Sequence, residues 1–413
     1  MRFSRALLLC GVAAGLMAAA APAAFAQSAE EQLRRVLGTV AEGRLNAALG
    51  DLDRLIERHP NFRLAHLVRG DLLLARAKPL KGLGDTGHAA PDKLDELRAE
   101  ALARLQAARE APAPGTVPRH LLALAPAQAH AIVVDATRSR VYVYENNSGE
   151  PRLVADYYST LGKRGIDKLR EGDQKTPLGV YHVTSMIPGA KLPDLYGWGA
   201  FPINYPNDWD RRAGKTGNGI WLHGVPAENY ARAPRASDGC IALANDEIAE
   251  LAKRVRPGAT PVVIAERVDW VTPGQLRAER ERFMRQLEAW RTGWESRDAQ
   301  KYLSHYAREF RAGATDLGAW SAHKRRVNAA KSWIKVGLSN VSVLRSAGRD
   351  AVIEVTFDQD YRSSNLSQRA RKRQYWVEED GRWKIAYENT LGGQKLRLPE
   401  SFKSAVRKKG AGS

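Results

Sequence analysis

Residues 219–245 read GIWLHGVPAENYARAPRASDGCIALAN. His223 stands 17 positions before Cys240, and the cysteine sits inside Ser237-Asp238-Gly239-Cys240. Ile220-Trp221-Leu222 reads as a buried strand ending at the imidazole. Gly239, followed after the cysteine by Ile241-Ala242-Leu243, predicts a tight turn feeding a short apolar element, which places the sulfur at the lip of a core. The second of the two cysteines, Cys10, lies in an N-terminal segment with the marks of a removable leader. A mature chain would then carry one thiol, either inert and buried or reactive. A neighbouring imidazole that takes the thiol proton would make it a nucleophile.

The words around this pair repay attention in order. Upstream stands Lys175-Thr176-Pro177-Leu178-Gly179-Val180-Tyr181, and before it the strand Arg140-Val141-Tyr142-Val143-Tyr144. With H-G, a spacer and S-x-G-C plus an apolar residue, these segments resemble the signature of the L,D-transpeptidase (YkuD) family, periplasmic or wall-bound enzymes that remodel peptidoglycan. The resemblance spans about residues 129–266. It departs from the pattern twice: Asp238 stands where many members have His, and Ala242 where many have Arg, which leaves open what contacts a substrate carboxylate.

The resemblance implies a mostly β catalytic domain over residues 129–267 and acyl transfer on peptidoglycan stem peptides. Cys240 would attack the carbonyl of the third residue and expel terminal D-alanine, with His223 as base and then acid. The Gly224 carbonyl would orient the imidazole, and the backbone N–H groups of Gly239 and Cys240 would form an oxyanion hole, whose loss typically costs about 10²–10³ in rate. Ser237, Asp238 and Tyr205 are the expected substrate contacts. An amine acceptor gives a transpeptidase and water an L,D-carboxypeptidase; a non-catalytic wall-binding protein is the reading from another class. No cofactor is implied, and His223, Cys240 and Asp238 are too few and badly spaced for a closed zinc site.

Residues 1–26 carry Arg2 and Arg5, an apolar run from Ala6 to Ala20 and a small-x-small site at Ala24-Phe25-Ala26, the pattern of a cleaved signal peptide. Leu9 before Cys10 does not fit a lipoprotein, and no later stretch is apolar enough to span a bilayer. The expectation is export to the periplasm. A length of 413 residues suits two or three domains. The formal charge of +18 favours anionic partners unless it reflects an arginine-rich composition at large. Outside the cytoplasm those partners are lipid, lipopolysaccharide or the carboxylate-rich wall, and nucleic acid is not among them.

Residues 28–110 read as helices. Small residues and a His59-Pro60-Asn61 turn resemble one tetratricopeptide-like hairpin, serving packing, a protein partner or self-association. Residues 111–128 read as a linker. Within the catalytic region, strands are expected at 131–135, 140–144, 154–160, 179–186 and 261–264. Pro193 to Arg212 reads as a loop without regular elements, either a lid or an ordered packing segment, and Asn245 as the N-cap of a helix to Arg254.

The remainder has helices first and a meander after. Residues 273–310 and 321–333 read as helical, with strands at 336–344, 351–361, 371–378 and 383–388. This order resembles the nuclear transport factor 2-like cone over residues 272–398, followed by a basic tail, 399–413. It holds seven of the ten tryptophans and the basic run Arg369-Ala370-Arg371-Lys372-Arg373. The domain is assigned binding rather than chemistry, of a sugar or wall polymer, although most of its aromatics would be core. The fold class is multidomain α+β. The three-part architecture resembles the cell-shape L,D-carboxypeptidases of helical bacteria.

Overall fold

The computed structural model describes residues 28–85, 90–348 and 351–396. The expected signal peptide, 1–26, and the expected basic tail, 399–413, lie outside them. The architecture is the expected one: helices, a β-rich domain, then an α+β cone.

Four helices open the chain: α1 (Ala29–Ala41), α2 (Leu45–Arg58), α3 (Arg63–Leu74) and α4 (Pro91–Arg109). Ser28 caps α1 reciprocally with Glu31, and Pro91 begins α4 where its missing N–H costs nothing. Leu33, Val36, Leu52, Leu55 and Leu72 close a small core that also takes in Tyr230 and Ala244 from the next domain. The helices therefore dock on the catalytic domain.

That domain contains β1 (Val117–Pro118), β2 (His130–Asp135), β3 (Arg140–Asn147), β4 (Glu150–Tyr158), β5 (Leu161–Gly162), β6 (Gly179–His182), β7 (Ile187–Pro188), β8 (Gly199–Pro202), α5 (Asp208–Arg212), β9 (Trp221–His223), β10 (Arg235–Ser237), β11 (Ile241–Ala242), α6 (Asn245–Ala252), β12 (Pro261–Ala265) and β13 (Trp270–Val271). A five-stranded sheet runs β4-β3-β2-β12-β6 and a four-stranded one β11-β9-β8-β7. The core lies between them, from Ile132, Val143 and Ile264 on one side to Phe201, Leu222 and Ile241 on the other, closed by Ile248 and Leu251 of α6. The strands of the first sheet are apolar on both faces because Val133, Tyr144 and Val263 pack outward against Leu121 and Leu344.

The C-terminal part contains α7 (Pro273–Glu295), α8 (Ala299–Leu303), β14 (Tyr306–Ala312), β15 (Thr315–Asp316), α9 (Leu317–Ala329), β16 (Ile334–Arg345), β17 (Val352–Ser363), β18 (Ser367–Glu379) and β19 (Arg382–Leu396). One six-stranded sheet, β15-β14-β19-β18-β17-β16, wraps α7, whose Phe283, Leu287, Trp290 and Trp294 fill its concave side.

Several local expectations are corrected. Residues 306–310, expected to continue a helix, open strand β14, because Asp298 restarts only a short helix and Tyr306 and Phe310 face the cone's core. The third helix begins at Leu317 and ends before Trp333, so Ile334 already belongs to a strand. The stretch 193–212 holds β8 and α5. Asn245 is not the N-cap of α6. Ala244 occupies that position, its N–H facing the Glu247 carboxylate at 3.4 Å. The segment 111–128 is stitched to both neighbours: β1 pairs with β13, and Ala123 exchanges backbone hydrogen bonds with Val343 at 2.9 and 2.8 Å. The basic run is charge-paired across the sheet: Arg369 with Asp360, Arg371 with Asp358, Lys372 with Glu388 and Arg373 with Glu354, at 3.3–3.5 Å.

Buried charge joins the helices to the catalytic domain. Glu30 of α1 bridges Arg104 of α4 and Arg140 of β3 (2.8 Å to Arg140). Arg104 also reaches Glu100 at 2.8 Å, and Arg140 reaches Asp156 at 2.7 Å. The Arg104 guanidinium lies 4.0 Å from the Tyr158 ring centroid. Removing one partner of such a group leaves the others unpaired in a low-dielectric site, at a cost of about 3–5 kcal/mol. Glu30→Ala should therefore lower the urea midpoint by a corresponding amount with the slope unchanged, as followed by tryptophan fluorescence; a midpoint within error of wild type would show that the bridge contributes nothing.

Candidate active site

β9 and β11 run parallel, with Leu222 opposite Ile241 and His223 opposite Ala242. Side chains alternate along a strand, so Cys240, two residues before Ala242, projects to the same face as His223. The thiol is half-buried, and Cys240 is the free cysteine among the described residues.

The turn carrying the thiol is braced from three directions. The buried Ser237 hydroxyl donates to the Cys240 carbonyl at 2.6 Å and accepts from the Gly239 N–H at 3.1 Å. Thr176, fully buried in the T-P segment, donates to the Gly239 carbonyl at 3.0 Å and accepts from the Gly162 N–H at 2.9 Å. Gly239 has φ +121, and a Cβ there would lie 2.6 Å from the Lys175 carbonyl oxygen, so no other residue fits.

His223 is buried and its orientation is set by one bond. Nδ1 lies 2.6 Å from the Gly224 carbonyl, which can only accept. Nδ1 therefore carries the hydrogen and leaves Nε2 as the basic nitrogen. Tyr196 packs edge-on against the imidazole with centroids 5.0 Å apart. The backbone of Tyr196 and Trp198 crosses so close to Gly224 that a Cβ would meet Trp198 N at 2.9 Å and the Tyr196 carbonyl at 3.0 Å. Asn245 secures this crossing: its Oδ1 accepts from the Trp198 N–H at 2.8 Å and its Nδ2 donates to the Val225 carbonyl at 2.8 Å.

The resting pair is neutral. Burial lowers the His223 pKa to about 4, with the Gly224 contact opposing and Arg232 assisting. Burial pushes the Cys240 thiol up to about 11 against the Trp221 backbone N–H, which favours the thiolate. The thiol donates to the Gly219 carbonyl at 3.3 Å. This arrangement suits general-base activation during attack better than a preformed thiolate–imidazolium pair.

The remaining expected residues separate. Ser237 is a brace with both hydrogen-bonding roles taken. Asp238 is exposed, paired with Lys163 at 2.7 Å and accepting from Gln174 at 3.1 Å. Tyr205, expected at the substrate, is a buried core residue whose hydroxyl faces the Lys168 and Thr216 carbonyls at 3.3 and 3.1 Å. The Gly239 N–H, expected in an oxyanion hole, is engaged by Ser237. The end of the stretch 193–212, read as either a lid or an ordered packing segment, makes an interdomain contact: Trp209 stacks on Tyr375 at 5.6 Å, and Arg212 donates to the Glu309 and Ala386 carbonyls at 2.6 and 3.0 Å. Asn245 and Arg232 were missed, since a single polar residue beside a motif carries no spacing signal.

The family model of the L,D-transpeptidase catalytic domain (YkuD) matches residues 129–264, and that of the Cds6 C-terminal NTF2-like domain matches residues 282–389. Among solved structures, Bd1075 of Bdellovibrio bacteriovorus is similar at 30% identity and TM-score 0.60, over 69% of this chain and 100% of that one. The chain belongs to the L,D-transpeptidase (YkuD) family. The helical cell shape determining protein Pgp2 of Campylobacter jejuni is similar at 26% identity and TM-score 0.56, over 66% of this chain and 95% of that one. No curated protein matches. The YkuD domain is that of a peptidoglycan-acting enzyme of the L,D-transpeptidase/carboxypeptidase type.

A neutral resting thiol predicts how Cys240 alkylates. Its rate with iodoacetamide should keep rising with pH beyond 9, because the thiolate fraction grows until the pH passes about 11. A plateau beginning near pH 7 would instead reveal a preformed thiolate.

Proposed function

We propose that the protein is a periplasmic cysteine acyl transferase that opens stem peptides at the third residue, releases D-alanine and passes the acyl group to water. The observation that supports the acyl-transfer step is the His223–Cys240 pair on one face of a parallel strand pair, with Nδ1 tied to Gly224 and Nε2 left basic.

In this reading the Cys240 thiol turns from the Gly219 carbonyl toward Nε2 and gives up its proton as sulfur attacks the scissile carbonyl. The tetrahedral oxyanion is held by the Cys240 N–H, joined by the Gly239 N–H once Ser237 releases it. Collapse breaks the C–N bond, and imidazolium Nε2 protonates the departing amine. Water then enters, gives a proton to Nε2, and attacks the thioester carbonyl; breakdown returns that proton to sulfur. The neutral starting pair makes each proton transfer reversible at one nitrogen.

The choice of water over an amine is supported by the resemblance to the cell-shape L,D-carboxypeptidases and by a likeness to Pgp2 over 66% of this chain and 95% of that one, more than the catalytic domain alone would cover. The catalytic domain by itself equally fits transpeptidation.

Wild-type protein incubated with disaccharide tetrapeptides should give tripeptides and free D-alanine, separable by mass. Cys240→Ala should abolish this while keeping the wild-type unfolding midpoint, and His223→Ala should lower the rate by about 10² or more. Accumulation of cross-linked dimers from the same tetrapeptides would move the assignment to transpeptidase. Equal turnover by Cys240→Ala would end the cysteine reading.

A further inference from the structure

His223 ends β9 opposite Ala242, which ends β11, and one side chain ties the two exits together. Past Cys240 the chain reaches Leu243, whose N–H donates to the His223 carbonyl at 2.9 Å, and then Asn245 at the start of α6. Ala244 holds the N-cap position there, so the Asn245 carboxamide is not spent on its own helix. It turns back to Val225, just beyond His223 and Gly224. Oδ1 accepts from the Val225 N–H at 3.3 Å, and Nδ2 donates to the Val225 carbonyl at 2.8 Å. The amide thus meets both backbone groups of a buried residue, as a neighbouring strand would. Oδ1 also accepts from the Trp198 N–H at 2.8 Å. These partners settle which way the carboxamide points: two N–H groups need its oxygen and a carbonyl needs its nitrogen. Room exists because Gly197 and Gly224 flank it, where a Cβ at either position would collide with Oδ1.

The Val225 N–H bears directly on the imidazole. It belongs to the same peptide group as the Gly224 carbonyl, which accepts the His223 Nδ1 hydrogen at 2.6 Å. That peptide is trans, since the cis bond among the described residues is Tyr205-Pro206. In a planar trans peptide the C=O and N–H point in opposite directions, so holding one aims the other. Gly224 has no Cβ to restrict rotation of that plane. Anchored at Val225, the plane directs its oxygen at Nδ1. Released, it can swing the oxygen away, and a neutral imidazole without that acceptor no longer has its hydrogen confined to Nδ1. A ring carrying hydrogen on Nε2 cannot accept the Cys240 proton.

We propose that Asn245 is a positioning residue for the acyl-transfer step: by clamping Val225 it fixes the Gly224–Val225 peptide plane, and with it the tautomer and aim of His223. This rests on the acyl-transfer reading above and adds to the catalytic pair a residue that acts through the backbone.

The tautomer can be read by nuclear magnetic resonance in the full-length protein, isotope-labelled at its histidine ring nitrogens. Nitrogens with and without hydrogen resonate apart, and the His223 signals are those missing from His223→Gln. At neutral pH the wild type should carry hydrogen on Nδ1 alone. In Asn245→Ala the hydrogen should be shared between the two nitrogens. The same variant should lower kcat for disaccharide tetrapeptides about tenfold to a hundredfold, the range for slight misplacement of a reacting group, with KM nearly unchanged. Asn245→Asp keeps an acceptor for the Val225 and Trp198 N–H groups and should recover much of both. Asn245→Leu, of similar size and unable to bond, carries the alanine expectation if that variant does not fold. Hydrogen still confined to Nδ1 in the alanine or leucine variant, whatever the fall in stability or rate, overturns the positioning role. If the tautomer responds as expected in a protein whose wild type turns over no tetrapeptide, the positioning stands and the acyl-transfer reading fails.

Discussion

The parallel pairing of β9 with β11 is the constraint on which the rest depends. Two parallel neighbours cannot be joined by a tight turn; the chain has to travel back to the end where the first strand began, which takes a dozen or more residues. The interval from His223 to Cys240 is that return path. A return path of such length on a surface would ordinarily be the loosest part of a domain. Here it is gripped. The helical hairpin's turn lays Phe62 on the Tyr230 ring at 4.3 Å, the Tyr230 N–H donates to the Asn61 carbonyl at 3.1 Å, and Asn61 Nδ2 donates to the Ala227 carbonyl at 3.0 Å. The N-terminal helices thus brace the segment that joins His223 to Cys240.

The C-terminal domain is equally tied in. Leu344 of β16 enters the outer core of the first catalytic sheet, and His182 meets Glu354 at 2.7 Å in a buried contact. Burial alone would raise the Glu354 pKa, yet Arg373 and His182 hold it at about 2, so the carboxylate stays ionised within the junction. The catalytic motifs end at Leu243 and the sheet at Ala265, but the sheet's outer face is covered by residues that come later. Chemistry and fold have different boundaries in this chain.

Much of this was legible before any coordinates. Gly239 before Cys240 and the run Ile220-Trp221-Leu222 each state a local need that the structure answers: a tight turn, with φ +121 at the glycine, and a strand entered by buried Ile220 and Leu222. The losses are of one kind. Tyr306 to Ala312 alternates too little to separate a strand from a helix, and its pairing partner, β19, lies some 75 residues later. The basic run 369–373 looks like a polyanion site because its matching acids, Asp358, Asp360, Glu354 and Glu388, sit on neighbouring strands and become adjacent only through sheet register. Tyr205 appeared available because aromatic, Gly and Pro residues crowd its stretch, whereas the hydroxyl faces two carbonyls inside the core. Short-range rules locate turns; they do not locate neutralising partners.

A thiol held as its protonated form also has a chemical lifetime to consider. Peroxides and disulfides react with thiolates, and susceptibility to sulfenic acid formation follows the thiolate fraction. Cys240 has no second cysteine among the described residues to resolve a sulfenic acid as a disulfide. With the proton kept on sulfur, Cys240 presents little thiolate to passing oxidants. The same desolvation that holds the Cys240 pKa up also slows oxidation of its sulfur.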